Sequence, residues 1–330
     1  MNKLLATMIV EEGFALIDAH HHLWALGNDT HPWLQTDYRA DTFMGDYSSL
    51  CRDYLLEDYL ADIDDLPVVA TVHIEAERRR DQAVEETRWI NEVAERHSMP
   101  NVIIGYVDLL APNIIAKLDS HMAASPRFRG VRCKPLIARS TAISVAGEPG
   151  SLQDRAWHSG LSALAERGLV WDLRIPWWHL AEAADLLREH PDLNVALNHA
   201  GLPWDRSTAG LKSWRSGMAE LAACPGVTVK LSEFSMPGHF WDEIQVQKIV
   251  ADVLELFGPA RCMFASNFPV ARLSVNYKRA VFAVAEAVAP LGPASIRAVF
   301  HDTAQRTYGI PLPAHGGILD PPRPAIIHTN

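Results

Sequence analysis

The residues best suited to chemistry open with Asp18-Ala19-His20-His21-His22, which follows the apolar run Phe14–Ile17. Side chains alternate along an extended chain, so His20 and His22 share one face and His21 takes the other. Two imidazoles on one face at the end of a strand can hold a divalent metal such as zinc or manganese. A second histidine, His199, closes the apolar run LNVALNHAG. It could bind metal, polarise a carbonyl, or serve as acid or base, because imidazole titrates near neutral pH. In Val72-His73-Ile74-Glu75, the period of two puts His73 and Glu75 on one face. Glu75 is a candidate third metal ligand or a carboxylate supporting the ligands, and His73 a candidate for substrate contact.

Cationic residues gather at the ends of other apolar runs: Arg132 and Lys134 in RGVRCKP, Arg174 in WDLRIPWW and Lys230 in VTVKLSE. Arg132 and Lys134 share a face and could hold a carboxylate or hydroxyl groups. The substrate expected from this set is a small anionic or polyhydroxylated molecule. Trp24, Trp177, Trp178 and Trp204 follow apolar runs closely and could wall a pocket, with Trp24 and Trp204 covering a bound ring. Trp89, Trp157 and Trp214 fit better as helix-packing residues.

These positions need a common frame. Short apolar, β-branched runs at 14–18, 68–74, 101–107, 129–134, 170–174, 193–198, 227–231 and 262–265 read as buried parallel strands. Segments with helical periodicity lie between them, including 81–96, 154–167, 177–189, 210–222, 246–257 and 275–288. Pro100, Gly168, Pro191 and Gly226 stand where a helix must give way to a strand. Eight such repeats predict an α/β fold, a (β/α)₈ TIM barrel. An open doubly wound sheet is the rival, but it calls for a glycine-rich phosphate loop after the first strand, and DAHHHLW has no glycine. The barrel places all of the candidate residues at one end, where βα loops build active sites. Residues 25–49 are a long polar and aromatic insertion expected to lie over that end. Residues 293–309 read as an extra terminal helix. The expected division is one barrel domain over 1–310 and a Pro-rich extended tail over 311–330.

The chain has 330 residues, 30 Lys+Arg and 40 Asp+Glu, for a net charge of -10. Nucleic acid and anionic membranes demand a basic surface, so neither is expected as a partner. Four scattered cysteines form no CxxC pair. No apolar run reaches the length of a membrane span and no signal peptide is evident, so a cytoplasmic protein is expected. A homo-oligomer is compatible with this sequence.

The motifs DAHHHLW, VHIEAE, FRGVRCKP, WDLRIPWWHL, LNHAGLPWD, VTVKLS and FASNFPV together resemble the amidohydrolase superfamily. More narrowly, they resemble the amidohydrolase-related group that contains sugar-lactone and aromatic-lactone hydrolases. The resemblance implies attack of water on a ring ester at the barrel mouth, with His20 and His22 as the strand-1 pair and His199 as the strand-6 histidine. One position departs. The family's strand-8 aspartate, which binds metal or acts as general base, falls on Asn267 in Phe264-Ala265-Ser266-Asn267. An amide cannot accept a proton near neutral pH. Asn267 is therefore expected to orient the attacking water while His199 or His22 takes its proton. Two alternatives are a metal-dependent decarboxylase on the same barrel and a small-molecule binder without turnover.

Overall fold

The structure, a computed structural model, describes residues 3–40, 44–235 and 240–312. Eight strands pair in parallel in chain order: β1 (Leu16–His21), β2 (Val68–Ile74), β3 (Val102–Gly105), β4 (Phe128–Val131), β5 (Val170–Leu173), β6 (Val195–Leu197), β7 (Val227–Leu231) and β8 (Cys262–Phe264). Each is followed by a helix: Leu56–Ile63, Ala83–His97, Ile114–Ala124, Trp157–Glu166, Leu180–Arg188, Thr208–Ala222, Glu243–Phe257 and Tyr277–Val288. This is the (β/α)₈ barrel. The sheet closes just past β8, where the Asn267 N–H donates to His20 O and the His22 N–H to Phe268 O, both at 2.8 Å.

The inward and outward faces of the strands differ in residue size. Ile17, Ala19, Ala70, Val72, Ile74, Val102, Ile104, Val170, Ala196, Met263 and Ala265 pack together in the interior. Larger side chains such as Trp171, Leu173, Leu197, Leu231 and Phe264 face the helices. Helix starts are held by side-chain caps. Asp242 accepts from Ile244 N at 3.0 Å, Ser207 from Gly210 N at 3.0 Å and Asn276 from Arg279 N at 2.9 Å.

The C-terminal stretch closes the far end. Its helical residues 293–308 contact the turn before β8, with Arg306 donating to Ala260 O at 2.6 Å. Tyr308 and Ile310 pack into the interior cluster, and Leu312 lies against it. The Pro-rich residues 313–330 lie outside the described residues.

Three expectations change. β1 runs to His21 rather than stopping at Asp18, because its last residues make the pairs that close the barrel. A helix over Lys3–Glu11 precedes it, burying Leu5 and Met8 one turn apart. Leu56–Ile63 and Ile114–Ala124 are helices that the apolar periodicity did not single out. No described helix is long and apolar enough to cross a membrane.

Candidate active site

The strand ends lead into a cavity of about 220 Å³ at the C-terminal mouth. His22, Trp33, Met44, Ala76, Glu77 and Arg132 line part of it. Lys134, Arg174, His199, Glu233, Asn267 and Val270 line the rest. Four of these, Glu77 (φ 58°), His199 (φ 58°), Glu233 (φ 51°) and Asn267 (φ 57°), have left-handed backbones. Such conformations are costly for residues other than glycine and persist where surrounding structure enforces them, often at functional sites. Here each one turns a side chain into the mouth just past a strand.

The imidazoles form a directed chain. His22 Nδ1 lies 2.8 Å from Ile74 O, and a carbonyl can only accept, so Nδ1 carries the proton and Nε2 keeps a lone pair. His20 Nε2 is 3.2 Å from His22 Nε2 and must therefore be the donor. That leaves His20 Nδ1 to accept from Lys230 Nζ at 3.4 Å. Lys230 also donates to Asp172 Oδ1 at 2.7 Å, and Asp172 further accepts from Asn198 at 2.5 Å and Tyr308 at 2.7 Å. The tautomers follow from these partners.

His199 Nδ1 pairs with Ser232 Oγ at 2.8 Å, and its ring centroid lies 4.8 Å from that of His20. Burial, reinforced by Arg174, Arg132 and Lys230, holds His199 well below the usual histidine range. Burial and Lys230 do the same to His20, and burial and Arg132 to His22. All three rings are neutral at pH 7.

The cations at the mouth are matched by carboxylates. Arg132 Nε donates to Glu75 Oε1 at 2.6 Å and its Nη2 to Glu75 O at 2.5 Å. Arg80 also reaches Glu75, and Lys134 pairs with Glu77. Burial opposes the charge on Glu75, but Arg132, Arg80 and Lys134 outweigh it and bring its pKa down to about 2.

A divalent metal would find a partial fit. The 3.2 Å between His20 Nε2 and His22 Nε2 suits two ligands of one tetrahedral ion. The rest of the donor set does not follow. His20 Nε2 carries a proton, Glu75 is committed to two arginines, and position 267 is an amide. Among the described residues, no group of three or more His, Cys, Asp or Glu side chains could hold an ion.

Several expected residues lie elsewhere. His73 faces helix Ala83–His97: its Nδ1 accepts from Leu23 N at 3.3 Å and its Nε2 points at Glu86, 3.6 Å away. Burial lowers His73 to about 3, so this contact is a neutral N–H beside a carboxyl rather than an ion pair. Trp24 is fully buried, donating to Arg52 O at 2.7 Å, and Trp204 packs on Trp178; neither lines the cavity. Their place is taken by Trp33 from the insertion, anchored to Ala76 O at 2.9 Å. Glu75 supports Arg132 instead of reaching the cavity. His20 lies behind His22.

Glu233 was not singled out from the sequence. Alternation from Lys230 puts Ser232 inward and Glu233 outward, and the left-handed turn at Glu233 reverses that. The VTVKLSE segment carries no sign of this turn.

The histidines that follow β1 and β6 thus meet at the C-terminal mouth of a parallel eight-stranded barrel, the end where barrels of this kind carry their sites. The amidohydrolase family profile matches residues 17–310, and the chain belongs to that family. It is 34% identical over 296 residues to an uncharacterized protein, y4mH, of Sinorhizobium fredii, covering 90% of this chain and 99% of the other. It is 26% identical over 313 residues to an L-fucono-1,5-lactonase of Burkholderia multivorans, covering 92% and 98%. Among solved structures, a zinc-bound amidohydrolase from Burkholderia multivorans superposes with a TM-score of 0.74 at 24% identity, covering 90% of this chain and 100% of that one.

Proposed function

We propose that the protein hydrolyses the ring ester of a polyhydroxylated lactone of sugar size. The observation that carries this reading is the pairing at the mouth: Arg132 with Glu75 and Lys134 with Glu77. These cations already have anionic partners. A dicarboxylate would have to displace them, whereas a neutral ring with several hydroxyls can accept from the cations and donate to Glu77, Glu233 and Asn267. The cavity of about 220 Å³ falls below the range of roughly 300–1,000 Å³ typical of drug-sized ligands, which suits a single substituted ring. The lactonase named among the relatives supports the reaction class.

In this reading water attacks the lactone carbonyl. Negative charge then develops on the carbonyl oxygen, and Arg132 and Arg174 line the cavity where donors can meet it. Arg132 has five N–H donors, of which two bond Glu75. Neutral His199 orients the water, and the His22 ring lines the cavity beside the ester.

A pH-indicator assay over sugar lactones, muconolactones and dicarboxylated pyrones tests this. The expected result is acid release from at least one sugar lactone, with the pyrones at least tenfold slower and His199→Ala inactive. A chelator is expected to leave the rate within about twofold. Silence across the panel overturns the reading. Release of CO₂ from a carboxylated ring would support a decarboxylase, and ligand-induced stabilisation without product a binder.

A further inference from the structure

We propose that Glu233, on the turn after β7, is the proton acceptor for the attacking water, held in place by the Asn267 amide. The inference rests on the hydrolytic reading above and names the group that performs its proton transfer.

The other basic groups at the mouth are poorly placed to take this proton. His22 has its free lone pair occupied by the His20 N–H, at 3.2 Å. His199 is walled by Arg174, Arg132 and Lys230, which oppose a positive charge on its ring. Glu75 and Glu77 are tied to Arg132, Arg80 and Lys134. Asp172 sits beneath the histidines, fully buried and bonded to Lys230, Asn198 and Tyr308.

Glu233 differs in its partners. Its Oε1 accepts from Ser235 Oγ at 2.6 Å and its Oε2 from the Asn267 amide. Both are uncharged donors. A carboxylate offers about four lone-pair positions, so two donors orient it and leave capacity for a water. The side chain is half-buried and lines the cavity alongside Asn267, His199 and Arg174. Arg174, after β5, interacts with it electrostatically; His199, after β6, presents a neutral ring.

Asn267 thereby gains a reason. An aspartate there would set two carboxylates against each other, and one would take up a proton. An amide donates instead and fixes the neighbouring carboxylate. The acidic group expected on strand 8 has in effect moved one strand over, and position 267 has become its clamp.

The proton then has a complete route. The water oxygen bonds to the lactone carbonyl carbon as its proton passes to Glu233. The tetrahedral intermediate collapses, breaking the ring C–O bond, and the leaving alkoxide takes the proton back from Glu233. The product is the open hydroxy acid, and the carboxylate is restored.

The test measures kcat, KM and the pH profile on whichever lactone the wild type turns over. Glu233→Gln is expected to lower kcat at least about 100-fold, within the usual range for general base catalysis, with KM changed less than threefold. The acid limb of the wild-type profile should vanish with it. The exchanged pair Glu233→Gln with Asn267→Asp is expected to recover at least tenfold over Glu233→Gln alone, because it restores one carboxylate facing one amide. A merely structural role for Glu233 would not produce that recovery. If Glu233→Gln melts below the assay temperature, Glu233→Ala with added formate is read instead: restored turnover supports the inference and no restoration overturns it. Glu233→Gln retaining kcat within threefold overturns the role of Glu233 while leaving the lactonase reading intact. Failure of the exchanged pair to recover also overturns it. A wild type silent on every lactone overturns both readings together.

Discussion

At the scale of single residues, partner atoms decide protonation more than residue type does. His20, His21, His22 and His73 are four imidazoles near one strand pair, yet each is fixed by a different neighbour: Lys230, Thr71, the Ile74 carbonyl and the Leu23 N–H. Glu86 shows the energetic side. It is buried beside His73 and accepts from Ala76 N at 2.7 Å. Burial and the nearby Glu75 push its pKa up from 4.5 to about 7. Between those values the folded protein keeps a proton that the unfolded chain releases, so stability falls as pH rises from 4.5 to about 7. Glu86→Gln keeps an oxygen acceptor for Ala76 but cannot ionise. Its stability is expected to exceed that of the wild type at pH 8 by roughly 1–3 kcal/mol, seen as a higher melting temperature, and to converge with it near pH 4.5. Thermal melts across this range decide it; parallel slopes for the two proteins would contradict the assignment.

At the scale of elements, regular strands were readable and their exits were not. Alternation put His20 and His22 on one face, and the apolar runs located all eight strands. Alternation failed for Glu233, where one left-handed residue redirects the side chain. Nothing in residue type marks glutamate for that conformation. For His73 the alternation holds but the face was not legible: Val72 and Ile74 take the interior, so His73 turns to the helix. The tryptophans were misplaced for a related reason: Trp24 belongs to the packing under the insertion, and Trp33 within the insertion reaches the cavity. The strands are also closely fitted. A Cβ at Gly130 would stand 2.4 Å from Val170 O, across the β4–β5 pairing that precedes Arg132. Gly130→Ala is expected to cost about 1–3 kcal/mol in denaturant unfolding and to weaken turnover by displacing Arg132. Unchanged stability would show that the two strands can separate locally without penalty.

At the scale of the molecule, the two ends of the barrel are connected through its interior. Tyr308, from the last described helix, donates to Asp172 at 2.7 Å, and Asp172 holds the lysine that donates to His20. Tyr308→Phe removes a donor from a fully buried carboxylate and is expected to lower stability by about 1–3 kcal/mol. KM should stay within about twofold, because the cavity lining is untouched. Equilibrium unfolding with steady-state kinetics checks both; an unchanged unfolding midpoint would mean that Asp172 finds another partner. The single-barrel architecture was legible from the chain because eight repeats of strand and helix leave few alternatives. The Asp172–Tyr308 contact was not, since it spans 136 positions and nothing in the WDLRIPWWHL motif that holds Asp172 points to Tyr308.

The seam that closes the barrel is made by main-chain atoms of His20, His22, Asn267 and Phe268. Side chains at 22 and 267 can therefore be exchanged without unzipping the cylinder, and a single codon change can alter the reaction while the scaffold persists. The left-handed backbone at 267 narrows that freedom, since asparagine, aspartate and glycine adopt it most readily. Evolutionary drift at this position is thus channelled largely between an amide and an acid, which are the two states that separate a clamp from a base.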